Sequence, residues 1–240
     1  MRSLNLLTTA LCVGLIAVTV NPQLSRKRNV ALGWANGVGP YSSGIENERK
    51  TTRSPASSIR YRLEASQSKF IAHALAGGLL WFKGHEHLVA VREFSGEAQL
   101  SPDLITPASL EITVKAASMV ETNSVFTEPQ KRIIDKELRE IVLLPEQYPE
   151  IVFKSTSVTG KATGSNQYDL KITGDLTLHG VTRPVTIPTK VTVTANELRA
   201  QGEFSVNRGD FKVKATSAFH GLVRVRDKLK FTFDIVGHQL

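Results

Sequence analysis

The 240-residue chain has one cysteine, Cys12, and it lies inside an apolar N-terminal stretch. A protein cleaved after that stretch has no thiol at all. Disulfides, thiolate catalysis and cysteine-ligated metals are then excluded from the remainder. Local enzyme signatures are missing too: there is no glycine-rich phosphate loop, no nucleophile elbow and no HExxH helix. A Ser-His-Asp set assembles only in space and is not excluded, but nothing singles one out. No Asn-x-Ser/Thr sequon occurs, so N-glycosylation is not indicated. No repeat recurs at a fixed period. No local signature favours an enzyme.

Positive charge is present, but it is unevenly placed. The formal net charge is +8. Residues 22–59 hold Arg26, Lys27, Arg28, Arg49, Lys50 and Arg53 against Glu46 and Glu48, leaving only about +3 for the last 181 residues. The basicity describes a tail, so no nucleic-acid partner is expected. Arg2 precedes an uncharged apolar run from Leu4 to Val20. Residues 1–21 therefore read as a signal peptide or N-terminal anchor, and the protein is expected in the periplasm or otherwise exported. A cleaved signal is the expectation; Arg26-Lys27-Arg28, which prefers the cytoplasmic side, keeps the anchor as the alternative. Residues 22–58, rich in Ser, Gly, Asn, Pro, Arg and Thr, read as a disordered basic linker. Its charge gives a means of membrane-surface contact.

From Ile59 to Leu240 the dominant period is two. Leu110, Ile112 and Val114 alternate with polar residues, as do Leu170, Ile172, Leu176 and Leu178. Val223 and Val225 alternate with Arg224 and Arg226; Phe231, Phe233 and Ile235 alternate with Thr232 and Asp234. Each is read as an antiparallel strand with one apolar and one wet face. Further strands are predicted near 60–74, 90–100, 149–163, 185–194 and 197–206. One segment breaks the period. Thr127 and Gln130 form a capping-box pattern with Pro129 in the first turn, and Ile134, Leu138, Ile141 and Val142 follow at helical spacing up to Pro145. Eight or more strands in about 180 residues predict an all-β barrel or sandwich with one amphipathic α-helix inserted between strands; closure into an eight-stranded antiparallel barrel would remove the exposed edges. Such a barrel either packs solid or holds one elongated apolar ligand, and pattern alone does not choose between them.

Among polar residues, His85 and His87 flank Glu86 and share a strand face, so both imidazoles can address one ion or one headgroup. Two ligands make a weak site; a metal would need a third from His73, His179 or His220, so no metal ligand is assigned. Arg208-Gly209-Asp210 matches the integrin tripeptide, but it reads more simply as a turn whose Asp bonds the backbone.

The run Gly174-Asp175-Leu176-Thr177-Leu178-His179-Gly180-Val181-Thr182-Arg183-Pro184-Val185 resembles the signature of the YceI-like family of bacterial lipid-binding proteins. Met119-Val120-Glu121-Thr122-Asn123, Asp135-Lys136-Glu137-Leu138-Arg139, Tyr148-Pro149-Glu150-Ile151-Val152-Phe153-Lys154-Ser155 and Phe204-Ser205-Val206-Asn207-Arg208 follow that family's order. The resemblance implies an extended lipocalin-like barrel with an apolar tunnel for an isoprenoid quinone or prenyl phosphate. It also implies a homodimer, export, and sequestration or transport without turnover, hence no cofactor beyond the bound isoprenoid lipid. Chosen by residue type and motif position, Phe82, Phe94, Phe153, Phe204 and Phe231 are expected to contact the tail. His85, His87, Arg183, Asn207 and Arg208 are expected to contact the head. The chain departs from the family pattern at Gly84-His85-Glu86-His87, at Gly209-Asp210-Phe211-Lys212 and from Ala215 to Gly221. Two alternatives stand beside the carrier: a periplasmic metal-binding protein using His85 and His87, and a barrel with a solid core.

Overall fold

The computed structural model describes residues 58–101, 104–218, 220 and 222–240. The predicted signal or anchor and, apart from Ser58, the predicted linker lie outside the described residues.

The first strands are β1 (Ile59–Leu63), β2 (Lys69–Ala74) and the short β3 (Ala76–Gly77), then β4 (His87–Val91), β5 (Phe94–Ser101), β6 (Leu104–Lys115) and β7 (Met119–Glu121). After the helix α1 (Glu128–Glu137) come β8 (Glu150–Gly164), β9 (Gln167–Leu178), β10 (Val181–Val193) and β11 (Glu197–Asn207). The chain ends with the short β12 (Ser217–Ala218) and β13 (Val223–Val225) and the long β14 (Lys228–Gln239). The order β1-β5-β6-β8-β9-β10-β11-β14 closes through a β1–β14 pairing, giving an eight-stranded antiparallel barrel. β2, β4 and β7 extend β1, β5 and β6 past breaks, and β2 pairs with β14 and with β4, β4 with β7.

Burial follows the alternation. In β9, Tyr168, Leu170, Ile172, Leu176 and Leu178 are buried while Asp169, Lys171 and Asp175 are exposed. Gly174 keeps the inward phase without a side chain; a Cβ there would lie 2.7 Å from Cζ of Phe153, whose ring occupies that space. The β9–β10 hairpin turns through His179 and Gly180, both at positive φ (52° and 72°), with Leu178 opposite Val181. That is the geometry a two-residue hairpin matching the strand twist requires.

The helix begins as its sequence predicts. The Gln130 side-chain oxygen accepts from the Thr127 N–H at 2.8 Å and from Thr127 Oγ1 at 2.9 Å, and Pro129 sits in the first turn. From Leu138 to Leu143 the helix widens to a π-helix, and Leu144 (φ 47°) ends it one residue before Pro145. Leu138 and Leu143 are buried with Ala72, Val89, Val114 and Met119. The helix thus covers the place where β7 and β8 are not paired to each other.

Two expectations change. The runs predicted at 60–74 and 90–100 are each broken in two. The Val223/Val225 alternation does not belong to a barrel strand: β13 joins β12 and β3 in a separate three-stranded sheet. Its partners are two-residue strands outside the barrel sheet, so the alternation there orders a rim rather than the wall.

Candidate functional site

Along the barrel axis the connections fall into two sets. The β2–β4, β7–β8, β9–β10 and β11–β14 connections lie at one end, which therefore carries the helix and the three-stranded sheet. We call this end the mouth.

The barrel is hollow. A cavity of about 620 Å³ runs inside it, a size suited to a small apolar ligand. Leu170, Ile172, Leu176, Ile187, Phe233 and Ile235 are among its apolar walls. Deep in the barrel it is bounded by Leu100, Val191 and Leu198, with Gln99 and Thr189 as polar groups. Tyr61 and Tyr168 are buried in the surrounding core without lining it. Burial, and then the neighbouring Tyr168, push the Tyr61 phenol up.

At the mouth the lining changes chemistry. Lys83, Arg208, Lys214 and Arg224 reach the cavity there, with His85, His87, Gln130 and Glu137. Among the described residues, no carboxylate forms an ion pair with Lys83, Lys214 or Arg224 within 4.0 Å. Arg208 is half-buried; its Nη1 donates to the Val213 carbonyl at 2.9 Å, and Asp227 lies 4.0 Å from its Nε.

The motif residues build this end by touching one another. The Glu121 carboxylate is fully buried. It lies 2.8 Å from His87 Nδ1 and accepts from the N–H groups of Leu88 (3.1 Å) and Asn123 (2.7 Å). Burial raises its pKa, but the His87 contact and those two N–H donors outweigh this and hold it below the ordinary carboxylate value. Asp135 of α1 accepts from the Glu121 N–H at 2.8 Å, which ties helix to strand. Thr122 Oγ1 donates to the Leu88 carbonyl and Asn123 Nδ2 to the Glu86 carbonyl, both at 2.7 Å. The Tyr148 ring stands 4.2 Å from that of His179, and a Cβ on Gly180 would lie 2.7 Å from Tyr148 Cε1. The His-Gly turn and the Tyr-Pro step are two sides of one contact. His179 is held below its ordinary value, first by burial and then by Lys214.

Of the residues expected at the tail, Phe153, Phe204 and Phe231 line the cavity, and Phe204 stacks on Phe231 at 5.0 Å. Phe94 packs against the core without lining the cavity, and Phe82 is 63% exposed on the surface. Of those expected at the head, His85, His87 and Arg208 line the mouth. Arg183 and Asn207 are exposed and do not line the cavity: Arg183 Nε donates to the Asp210 carbonyl at 3.4 Å, and Asn207 Nδ2 to Asp210 Oδ2 at 3.3 Å. On β11 Asn207 is out of phase with the buried Val206; on β10 Arg183 shares the phase of the buried Ile187 and pairs with Leu176, but it stands at the mouth end of the strand, where it is exposed.

His87 stacks on Phe126 at 5.2 Å, and His85 meets the same ring edge-on at 5.8 Å. Glu86, between them, pairs instead with His73 Nδ1 at 2.8 Å. Among the described residues no three His, Cys, Asp or Glu side chains group as a metal site. At Arg208-Gly209-Asp210 the chain does turn, but it is Asp227 Oδ1 that accepts the Gly209 N–H, at 3.0 Å. Sequence reasoning missed Lys83, Lys214, Arg224 and Phe126. Arg224 alternates with valines and so reads as the wet face of a wall strand; only the rim sheet turns it to the mouth.

A closed eight-stranded antiparallel barrel around an apolar cavity with a polar mouth defines the class of fold. Within it, the chain belongs to the YceI-like domain family, whose model matches residues 61–237. It is 38% identical over 96 residues to a UPF0312 protein of Shewanella denitrificans, covering 40% of this chain and 44% of that one. It is 48% identical over 73 residues to protein YceI of Escherichia coli, covering 30% and 35%. The matches thus span less than half the length of these curated relatives. Among solved structures, BcnA of Burkholderia cenocepacia superposes with a TM-score of 0.57 at 20% identity, covering 72% of this chain and 98% of that one. A polyisoprenoid binding domain from Saccharophagus degradans superposes with a TM-score of 0.51 at 12% identity, covering 75% and 98%. At these identities the two share the fold.

Proposed function

We propose that this protein is an exported carrier that sequesters or transports an amphiphilic isoprenoid lipid, with the tail in the barrel and the head at the mouth. The observation that carries this reading is the 620 Å³ apolar cavity ending among Lys83, Lys214 and Arg224, which have no carboxylate within 4.0 Å among the described residues, and Arg208. The fold it shares with a polyisoprenoid binding domain supports the same ligand class. Burial contributes about 0.8 kcal/mol per methylene, association costs about 4–15 kcal/mol, and micromolar binding needs about −8 kcal/mol. Roughly fifteen to thirty buried carbons, or three to six isoprene units, then suffice. Between the two head chemistries considered, Lys214 and Arg208 favour a prenyl phosphate over a quinone, because a phosphate gives them charge-assisted hydrogen bonds. Headgroup contact by His85 and His87 is part of this proposal.

Titration of the protein with a prenyl phosphate and with the prenyl alcohol of equal length tests it. The phosphate should bind more tightly. Lys214→Ala should weaken it by roughly ten- to a hundredfold, the range of a charged hydrogen bond, and leave the alcohol unaffected. Arg183→Ala should change neither. Equal affinities for phosphate and alcohol would contradict the head assignment; no binding of either would contradict the tail assignment.

A further inference from the structure

Outside the cavity, one surface feature has no role in holding the ligand. Leu79, Trp81, Phe82 and Leu222 are 76%, 55%, 63% and 42% exposed. They stand together because the segments bearing them are stitched at the rim. β3 pairs with β13 through Gly77 opposite Arg224, the Leu80 N–H donates to the Leu222 carbonyl at 3.0 Å, and the Arg226 N–H donates to the Leu75 carbonyl at 2.9 Å. The Trp81 and Phe82 rings meet edge-on at 6.4 Å. Two large aromatics more than half exposed and side by side on hydrogen-bonded backbone mark an interaction surface.

Charge identifies the partner. Residues 75–85 and 211–226 contain Lys83, Lys212, Lys214, Arg224 and Arg226 and no Asp or Glu. Glu86, Asp210 and Asp227 flank these two segments, so the positive charge is local to the rim. Exposed Trp, Phe and Leu ringed by Lys and Arg is the composition that enters the headgroup zone of an anionic bilayer. Lys83, Gly84, Val223 and Arg224 belong to both the rim and the cavity lining, so the surface and the cavity entrance adjoin.

We propose that the rim formed by Leu79, Trp81, Phe82 and Leu222 with Lys83 and Arg224 docks the barrel mouth-down on an anionic lipid bilayer. Docked this way, an isoprenoid tail passes between membrane and cavity without crossing water. This rests on the lipid-carrier reading above for its purpose, but the surface is read from its own side chains.

The test uses the full chain carrying Trp34→Phe, which leaves Trp81 as its one tryptophan. Phosphatidylcholine vesicles with and without phosphatidylglycerol are added, and quenching of Trp81 by brominated acyl chains is read. The proposal expects blue-shifted emission and quenching with the anionic vesicles, both reduced by salt. Lys83→Gln with Arg224→Gln should lower partitioning roughly thirtyfold, at about fivefold per basic residue near the surface. Phe82→Ser, at an exposed position, should weaken binding without unfolding the barrel. Vesicle binding with Trp81 unquenched would assign the contact to the N-terminal segments and overturn the proposal. A Trp81 shift that grows with protein concentration in the absence of vesicles would assign the rim to a second copy and also overturn it. Ligand uptake measured in vesicle-free solution stands or falls separately, so failure of the rim is distinguishable from failure of the carrier reading.

Discussion

At the scale of single residues, Glu121 is the group on which the mouth depends. Its carboxylate gathers His87 and the Leu88 and Asn123 N–H groups, and its backbone N–H donates to Asp135 of the helix. A buried acceptor with this many donors is costly to replace. Glu121→Gln is expected to lower stability by about 1–3 kcal/mol near neutral pH. The pH dependence has a definite sign. The folded-state value of Glu121 lies below the ordinary carboxylate value. Its contribution is therefore present above that ordinary value and is lost as pH falls through the lowered one. Urea unfolding of wild type and Glu121→Gln across the acid range should show the two curves converging as pH falls. A gap that does not change with pH would show that the carboxylate's charge is not what stabilises the site. The motif around Glu121 was legible in the sequence, and Phe153, Phe204, Phe231, His85, His87 and Arg208, chosen there by residue type and motif position, line the cavity. The pairing of Glu121 with His87 was not, because it joins residues 34 apart on strands whose register has no local signal.

At the scale of elements, the β9–β10 hairpin was the most readable piece. Alternating apolar residues, a His-Gly pair and the return strand specify one register. Gly180 carries two demands at once, a φ of 72° and the Tyr148 ring against its missing Cβ. Gly180→Ala should cost more than about 1 kcal/mol; thermal unfolding measures it, and an unchanged midpoint would show that the turn relaxes freely. The strand breaks were hidden, for a physical reason. The break before β2 is fixed by Ser68, whose hydroxyl donates to the Glu64 carbonyl at 2.6 Å and accepts the Val236 N–H at 3.0 Å. That partner lies 168 residues away. The break between β4 and β5 is held similarly, by the Glu93 N–H donating to Ser118 Oγ at 3.0 Å. The breaks, Glu64-Ala65-Ser66-Gln67-Ser68 and Arg92-Glu93, are short and carry no Gly or Pro to mark a stop, so the flanking runs read as two long strands. Residues 223–225 erred the other way: real alternation, but on a rim sheet that replaces the wall.

At the scale of the whole molecule, closure and hollowness are separate facts. Closure follows from eight strands with paired edges; the strand pattern left barrel and sandwich open, and the family resemblance chose the barrel. Hollowness does not follow, because a filled barrel and an empty one show the same inward alternation. Here the lining is largely Leu, Ile, Val and Ala, and even with the six rings of Phe70, Phe126, Phe153, Phe204, Phe231 and Phe233 it leaves about 620 Å³ open. The cationic mouth, the helix covering the β7–β8 gap and the exposed aromatic rim all lie at the same end. The molecule therefore has a polarity along its axis that suits one entrance.

The measurement that tests this account most directly is native mass spectrometry of the protein purified from bacterial cells without detergent, followed by organic extraction of the bound species. The account predicts a discrete adduct that extracts as an isoprenoid, with an anionic head. A clean apo mass that stays unchanged after incubation with prenyl phosphates would contradict it.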